Sequence, residues 1–201
     1  MFQFKYSLKL LLSLGVICSL GAGAAQALPG EKKSTVVAWI NGNSSLRPTV
    51  GDGLTVRRNN TAFQSFNFQA SVIPPLGAYE ARKNIIRAER FSYYDQVNGV
   101  SRNRLEESLR VIYDTSIHQD YINANIVYAY PTREMQEIAR RKNLPLLAAT
   151  KGELRLGDRY AYWVETVEEI AGEHRGRTFT GKMTLFLKED LDLVETELRA
   201  R

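Results

Sequence analysis

The most constraining stretch of this chain is a double alternation in its last third. Tyr160, Tyr162, Val164 and Thr166 fall on one side of an extended run, and Ala161, Trp163, Glu165 and Val167 on the other. A period of two marks a β-strand, because successive side chains point to opposite faces. Gly157-Asp158 separates this run from residues 153–156, a hairpin signal. Residues 178–188 repeat the pattern, with Phe179, Met183, Leu185 and Leu187 at alternate positions. Tight hairpins require antiparallel pairing, so this region predicts an antiparallel sheet.

Upstream, residues 54–58 read as a strand. In residues 63–73, Phe66, Phe68 and Ala70 alternate with Ser65, Asn67, Gln69 and Ser71. Pro74-Pro75 ends that run, since proline cannot donate to a ladder. Residues 85–94 predict another strand, followed by a turn at Asn98-Gly99. Ser101 is placed to cap a helix in which Leu105, Leu109, Ile112 and Tyr113 recur at helical spacing, with Glu106 set to pair with Arg110. Residues 124–130 are apolar and β-prone. Pro131 closes them, and Thr132 is placed to cap a helix over 133–142 that ends in Arg140-Arg141-Lys142, where positive charge suits the helix dipole. A short helix capped by Ser34 carries Val36, Val37, Trp39 and Ile40 and stops at Asn41-Gly42-Asn43. Residues 191–198 predict a last strand or a short helix. The sum is one α+β domain over residues 34–199, mostly antiparallel sheet with about three helices packed on it. Residues 28–33 are polar, contain breakers and are expected to be a mobile start.

Residues 1–27 read as a secretory signal peptide. Lys5 and Lys9 are the only charges, Leu10 to Leu20 form a short apolar core, and Ala25-Gln26-Ala27 offers the small residues of a cleavage site, so the expected mature start is Leu28. A membrane anchor would need roughly 20 apolar residues, about twice this run. A lipoprotein would need a small residue before Cys18, where Ile17 stands. Cleavage would take Cys18, the single cysteine, and two of the 27 basic residues, leaving 25 basic against 22 acidic residues, a net +3. That mild charge predicts no nucleic-acid partner, and no integral membrane segment is expected after cleavage.

Few motifs carry chemistry. Residues 176–183 approach a phosphate-binding loop, but Met183 replaces the hydroxyl residue after Lys182, and strand-like residues follow where a helix is needed. The two histidines, His118 and His174, exclude a three-histidine metal site. His118 with Asp120 and Tyr121 nearby is the weak catalytic candidate, through general-base chemistry; the plainer reading is a solvated connection after a helix. His174 is expected in an exposed loop. Glu106-Glu107 and Glu168-Glu169 offer carboxylate pairs, for which solvated charge is the plainer reading. Tyr79 and Lys83 have the spacing of short-chain reductases without the glycine fingerprint. Arg82, Lys83, Arg87 and Arg90 form the densest basic run, eased by Glu80 and Glu89, and could meet an acidic partner or anionic headgroups; the alternative is a solvated strand face. Tyr93, Tyr94, Tyr128, Tyr130, Tyr160 and Tyr162 all fall in predicted strands, which suits an interface or a half-buried sheet. No cofactor and no metal are expected.

Trp39-Ile40, Leu46-Arg47-Pro48, Gly51-Asp52-Gly53-Leu54 and the stretch from Phe66 to Pro75 resemble the front half of a small exported cyanobacterial family of unassigned function. The resemblance implies a periplasmic or thylakoid-lumen address and carries over no activity and no site residue. The expected function is a non-enzymatic binding or accessory role with a protein partner in the envelope or thylakoid. The alternatives are a small cell-wall or glycan hydrolase and a carrier of a small apolar ligand.

Overall fold

The computed structural model describes residues 28–77, 84–170 and 172–201. The predicted leader lies outside them, as do Tyr79, Arg82 and Lys83.

Among the described residues, seven strands form one sheet in the order β1-β2-β3-β7-β6-β5-β4, with every neighbouring pair antiparallel. In chain order they are β1 (Thr55–Thr61), β2 (Gln64–Ser71), β3 (Ala88–Asp95), β4 (Asn125–Tyr130), β5 (Thr150–Leu156), β6 (Ala161–Glu168) and β7 (Thr178–Phe186). The α+β class follows the alternation in the sequence. Helices are more numerous than the expected three: among the described residues there are α1 (Lys33–Gly42), α2 (Arg102–Tyr113), α3 (Thr115–Asn123), α4 (Arg133–Lys142), α5 (Pro145–Ala149) and α6 (Leu191–Arg199). The extra ones have local causes. Asp114, at φ 130°, breaks the run after α2, and its carboxylate caps the Ser116 and Ile117 N–H groups, so a second helix starts at once. Pro145 opens α5 at a position where its missing N–H costs nothing.

The double alternation of β6 divides the core in two. Tyr162 and Val164 join Phe68, Phe91, Met183 and Leu185 on one face, closed by Val36 and Ile40 of α1, Leu105 and Leu109 of α2, and Ile117 and Tyr121 of α3. Ala161 and Trp163 join Leu154, Phe186 and Tyr130 on the other, closed by Leu191, Val194 and Leu198 of α6 and by Met135 of α4. Phe68 and Phe186 are sealed completely, and each contributes about 2 kcal/mol by leaving water. The second face of β1 to β3 instead presents Arg57, Asn59 and Arg90 to solvent.

Ser101 and Thr132 cap α2 and α4 as their positions predict, accepting from the Arg104 and Met135 N–H groups. Ser34 does not cap α1: Lys32 is the N-cap and offers no side-chain bond. Glu106 pairs with Arg102 rather than Arg110, which turns to Glu107. Residues 28–33, read as a loose start, are tied down: Leu28 is buried, Gly30 N–H donates to the Ile86 carbonyl (2.8 Å) and Ile86 N–H to the Glu31 carbonyl (2.9 Å). The loose reading weighed polarity and could not see residues 84–86 running alongside.

Candidate functional site

The catalytic candidates from the sequence do not form a unit. His118, Asp120 and Tyr121 sit on α3, not on a solvated connection. Asp120 is buried and committed to the β5–β6 turn: its carboxylate accepts from the N–H groups of Asp158 (2.8 Å), Arg159 (3.1 Å) and Tyr160 (3.3 Å) and from the Tyr162 hydroxyl (2.6 Å). That approach needs Gly157, where a Cβ would lie 2.5 Å from Asp120 Oδ2. Tyr121 is buried beside Arg102 and Glu106. Burial pushes its phenol up to about 12, against the opposing pull of Arg102. His118 is half-exposed on the flank of the same helix.

Of the basic run, Arg82 and Lys83 lie outside the described residues, and Arg87 and Arg90 do not share a surface. Arg87 is buried in an ion pair with Asp190, reinforced by Glu189, so it does not face solvent. The carboxylates come from more than a hundred residues away, which is why the local charge count missed them. Arg90 is exposed on the opposite face of β3 and donates to Gln69 Oε1 (2.8 Å). Tyr160 lies in the turn before β6, and the other five tyrosines are in strands. Residues 178–183 belong to β7, with no helix N-terminus for a phosphate.

A different set of residues converges. Arg58 on β1, Phe66 on β2 and Tyr93 on β3 are successive cross-strand partners, one row across the sheet. The Phe66 and Tyr93 rings lie 4.9 Å apart. The Arg58 guanidinium sits 5.6 Å from the Phe66 centroid, and Arg104 of α2 sits 4.9 Å from that of Tyr93. Ser108, one turn along α2, meets the Tyr93 hydroxyl at 3.0 Å. Arg47 completes the rim from the loop after α1, held at φ 44°, in the left-handed region that costs a non-glycine residue about 1 kcal/mol. These side chains line an open pocket of about 360 Å³, within the range of small-ligand sites.

The charge of this pocket is unbalanced. Arg104 is satisfied, bonding Asp95 (2.7 Å) and the Gly99 carbonyl (2.6 Å). Burial alone would raise Asp95, but the Asn98 N–H, Arg104 and Gln64 together hold it well below the usual carboxylate range. Glu107 lines the pocket but turns to Arg110. Arg47 and Arg58 have no ion-pair partner among the described residues, and the buried Nε and Nη2 of Arg58 have no hydrogen-bond acceptor. Partial burial and then the neighbouring charge of Arg47 lower the Arg58 pKa, against a smaller opposing pull from Asp52, which makes no ion pair with it. Two neighbouring cations beside an aromatic floor have the chemistry to accept an anion.

Other polar clusters are closed on themselves. Arg102 holds both oxygens of Glu153, the Glu106 carboxylate (3.0 Å) and the Tyr121 hydroxyl (3.1 Å), while Arg155 bonds Glu153 (3.0 Å) from the far side. Glu165 is bound by Tyr130, Lys182 (2.6 Å) and Arg201 (3.1 Å). Gly152 lets the Tyr130 ring cross β5, since a Cβ there would lie 2.3 Å from it. Glu89 differs from these clusters: it is fully buried, with neither carboxyl oxygen hydrogen-bonded. Burial pushes it up to about 7, and the neighbouring Tyr113 hydroxyl only tempers the shift.

Among the described residues no group of His, Cys, Asp and Glu could hold a metal ion, and no helix is long and apolar enough to cross a membrane. A scan against protein-family models, a search of curated proteins and a search of solved structures each found no match to this chain.

Proposed function

We propose that this chain is an exported, non-enzymatic binding protein that holds the anionic group of a ligand or partner between Arg47 and Arg58, as an accessory protein of the periplasm or thylakoid lumen. The observation that carries the reading is the pair itself: two neighbouring guanidinium groups, neither in an ion pair among the described residues, that line one pocket with Phe66 and Tyr93. A partly buried cation without acceptors is costly. A carboxylate, sulfate or phosphate supplies those acceptors in the bidentate geometry that arginine favours, and cancels the repulsion between the two. The aromatic floor suits a flat or sugar-like body beside the anion. The address rests on the pattern of residues 1–27 and on the resemblance of residues 39–75 to an exported cyanobacterial family.

The two alternatives draw less support. A hydrolase needs an acid or base that meets substrate, whereas Asp120 is occupied by the β5–β6 turn and Glu89 is sealed from solvent. A carrier needs an enclosed apolar chamber, whereas the apolar side chains on both faces of the sheet pack into core clusters beneath the helices.

Calorimetric titration of the full chain with sulfate, citrate and glucuronate tests the pocket. The expected result is saturable binding of at least one of these anions, weakened by salt. Arg58→Met should reduce it by about tenfold or more, the share of one charge-assisted bond. Binding of none of the three, or equal binding by Arg58→Met, rejects the site. N-terminal sequencing of the chain from its own cells tests the address: Leu28 first is expected, and a retained Met1 rejects export with cleavage.

A further inference from the structure

We infer that the segment joining α4 to α5 docks on an anionic lipid surface. The last turn of α4 carries Arg140, Arg141 and Lys142, all exposed. Asn143 then turns the chain through the left-handed conformation, and Leu144 and Leu146 follow, with 44% and 66% of their surfaces open to solvent. Leu144, Leu146 and Leu147 line a shallow apolar groove of about 440 Å³ with Met135. Only Ala139 of α4 is fully buried, and Met135 is the side chain by which the helix packs on the second core.

The charge around these leucines has one sign. Between Glu137 and Glu153 the sequence holds four basic residues and no acid. Lys151 is engaged by Glu168 across the β5–β6 pair. Arg140, Arg141 and Lys142 have no ion-pair partner among the described residues, whereas Arg133 at the other end of α4 pairs with Glu137. Three unpaired cations beside two bared leucines match the layering of a bilayer surface, negative headgroups over hydrocarbon. The long basic stems keep their charges at headgroup level while the leucines reach deeper. An anionic leaflet meets three neighbouring cations in any register; an acidic protein would need three acids at matching positions. This surface is separate from the arginine pocket, whose residues come from β1, β2, β3, α2 and the loop after α1.

Co-sedimentation of the full chain with vesicles tests the inference, wild type and variants side by side so that residues 1–27 contribute equally. The vesicles are phosphatidylcholine alone or with about one third phosphatidylglycerol. Wild type is expected to bind the anionic vesicles and to leave the neutral ones, and high salt should abolish the difference. A variant carrying Arg140→Gln, Arg141→Gln and Lys142→Gln should partition about a hundredfold more weakly, from about fivefold for each charge. Leu144→Ser with Leu146→Ser should cost about tenfold on the same vesicles. All five side chains are exposed, so circular dichroism of the variants should match wild type. Equal binding to both vesicles, a charge variant that binds like wild type, or an acidic protein captured by this segment without any vesicle binding overturns the proposal.

Discussion

Two arginine clusters share one face of the sheet and reach opposite ends. Around Arg102 the fold delivers acids to match: Glu106 one turn along α2 and Glu153 from β5, with Arg155 on the far side. Hydrogen bonding to Glu153 raises Arg102 above its ordinary range and lowers Glu153 below its own. Around Arg58 the acids are present but spoken for. Asp95 faces Arg104, and Glu107, next to Glu106 in sequence, points away to Arg110. The lesson is that arginine count does not separate scaffold from site. What separates them is whether the fold supplies the counter-charge or leaves it to come from outside.

Glu89 gives the sharpest test of that idea, because it is an acid without a base just as Arg58 is a base without an acid. The folded chain keeps its proton up to about 7, whereas the unfolded chain releases it near 4.5. Stability should be full below about 4.5, fall as pH rises to about 7, and stay low above, a total of about 3 kcal/mol. Glu89→Gln should remove that slope and be more stable than wild type at pH ~8, by about the same amount, in urea denaturation followed at several pH values. A flat wild-type profile across this window would mean that the carboxyl finds a partner. Asp95 acts in the other direction: its depressed pKa adds stability above the ordinary aspartate range that is lost as pH falls.

Next in size is Glu153→Gln, which strips the shared partner from Arg102 and Arg155. Allowing for partial exposure of the pair, it should cost about 2 kcal/mol in the same urea assay. The smallest change should come from Arg58→Met, within about 0.5 kcal/mol of wild type, because no ion pair is lost and an apolar stem still covers Phe66. If Arg58→Met destabilises as much as Glu153→Gln, the contrast between the clusters fails and Arg58 is scaffold.

Elements with a period of two were legible in the sequence. The faces of β6, the Gly157-Asp158 turn and the stop at Pro74-Pro75 all follow from side-chain alternation and proline's missing donor. The polar helix α3 was not, because its sequence resembles a loop until Asp114 is seen to cap it and Ile117 and Tyr121 to bury. Arg87 looked like one of a basic run because Asp190 is remote in sequence. The pocket was hidden for the same reason. Arg47, Arg58 and Arg104 lie in three separate segments, and only strand register puts Arg58, Phe66 and Tyr93 in a row. A local trace did exist: Arg58 and Phe66 flank a short turn between two predicted strands, so antiparallel pairing alone would have set them opposite each other.

The strand order makes β7 a keystone. β1 to β3 form one antiparallel ribbon and β4 to β6 include another, yet none of the first three is hydrogen-bonded to any of the second three except by way of residues 178–186. A growing chain therefore carries two unfinished ribbons, each with an unpaired margin, until residues 178–186 have been made. Wherever the polypeptide must stay threadable before it sets, holding back the piece that locks the arch is a built-in delay.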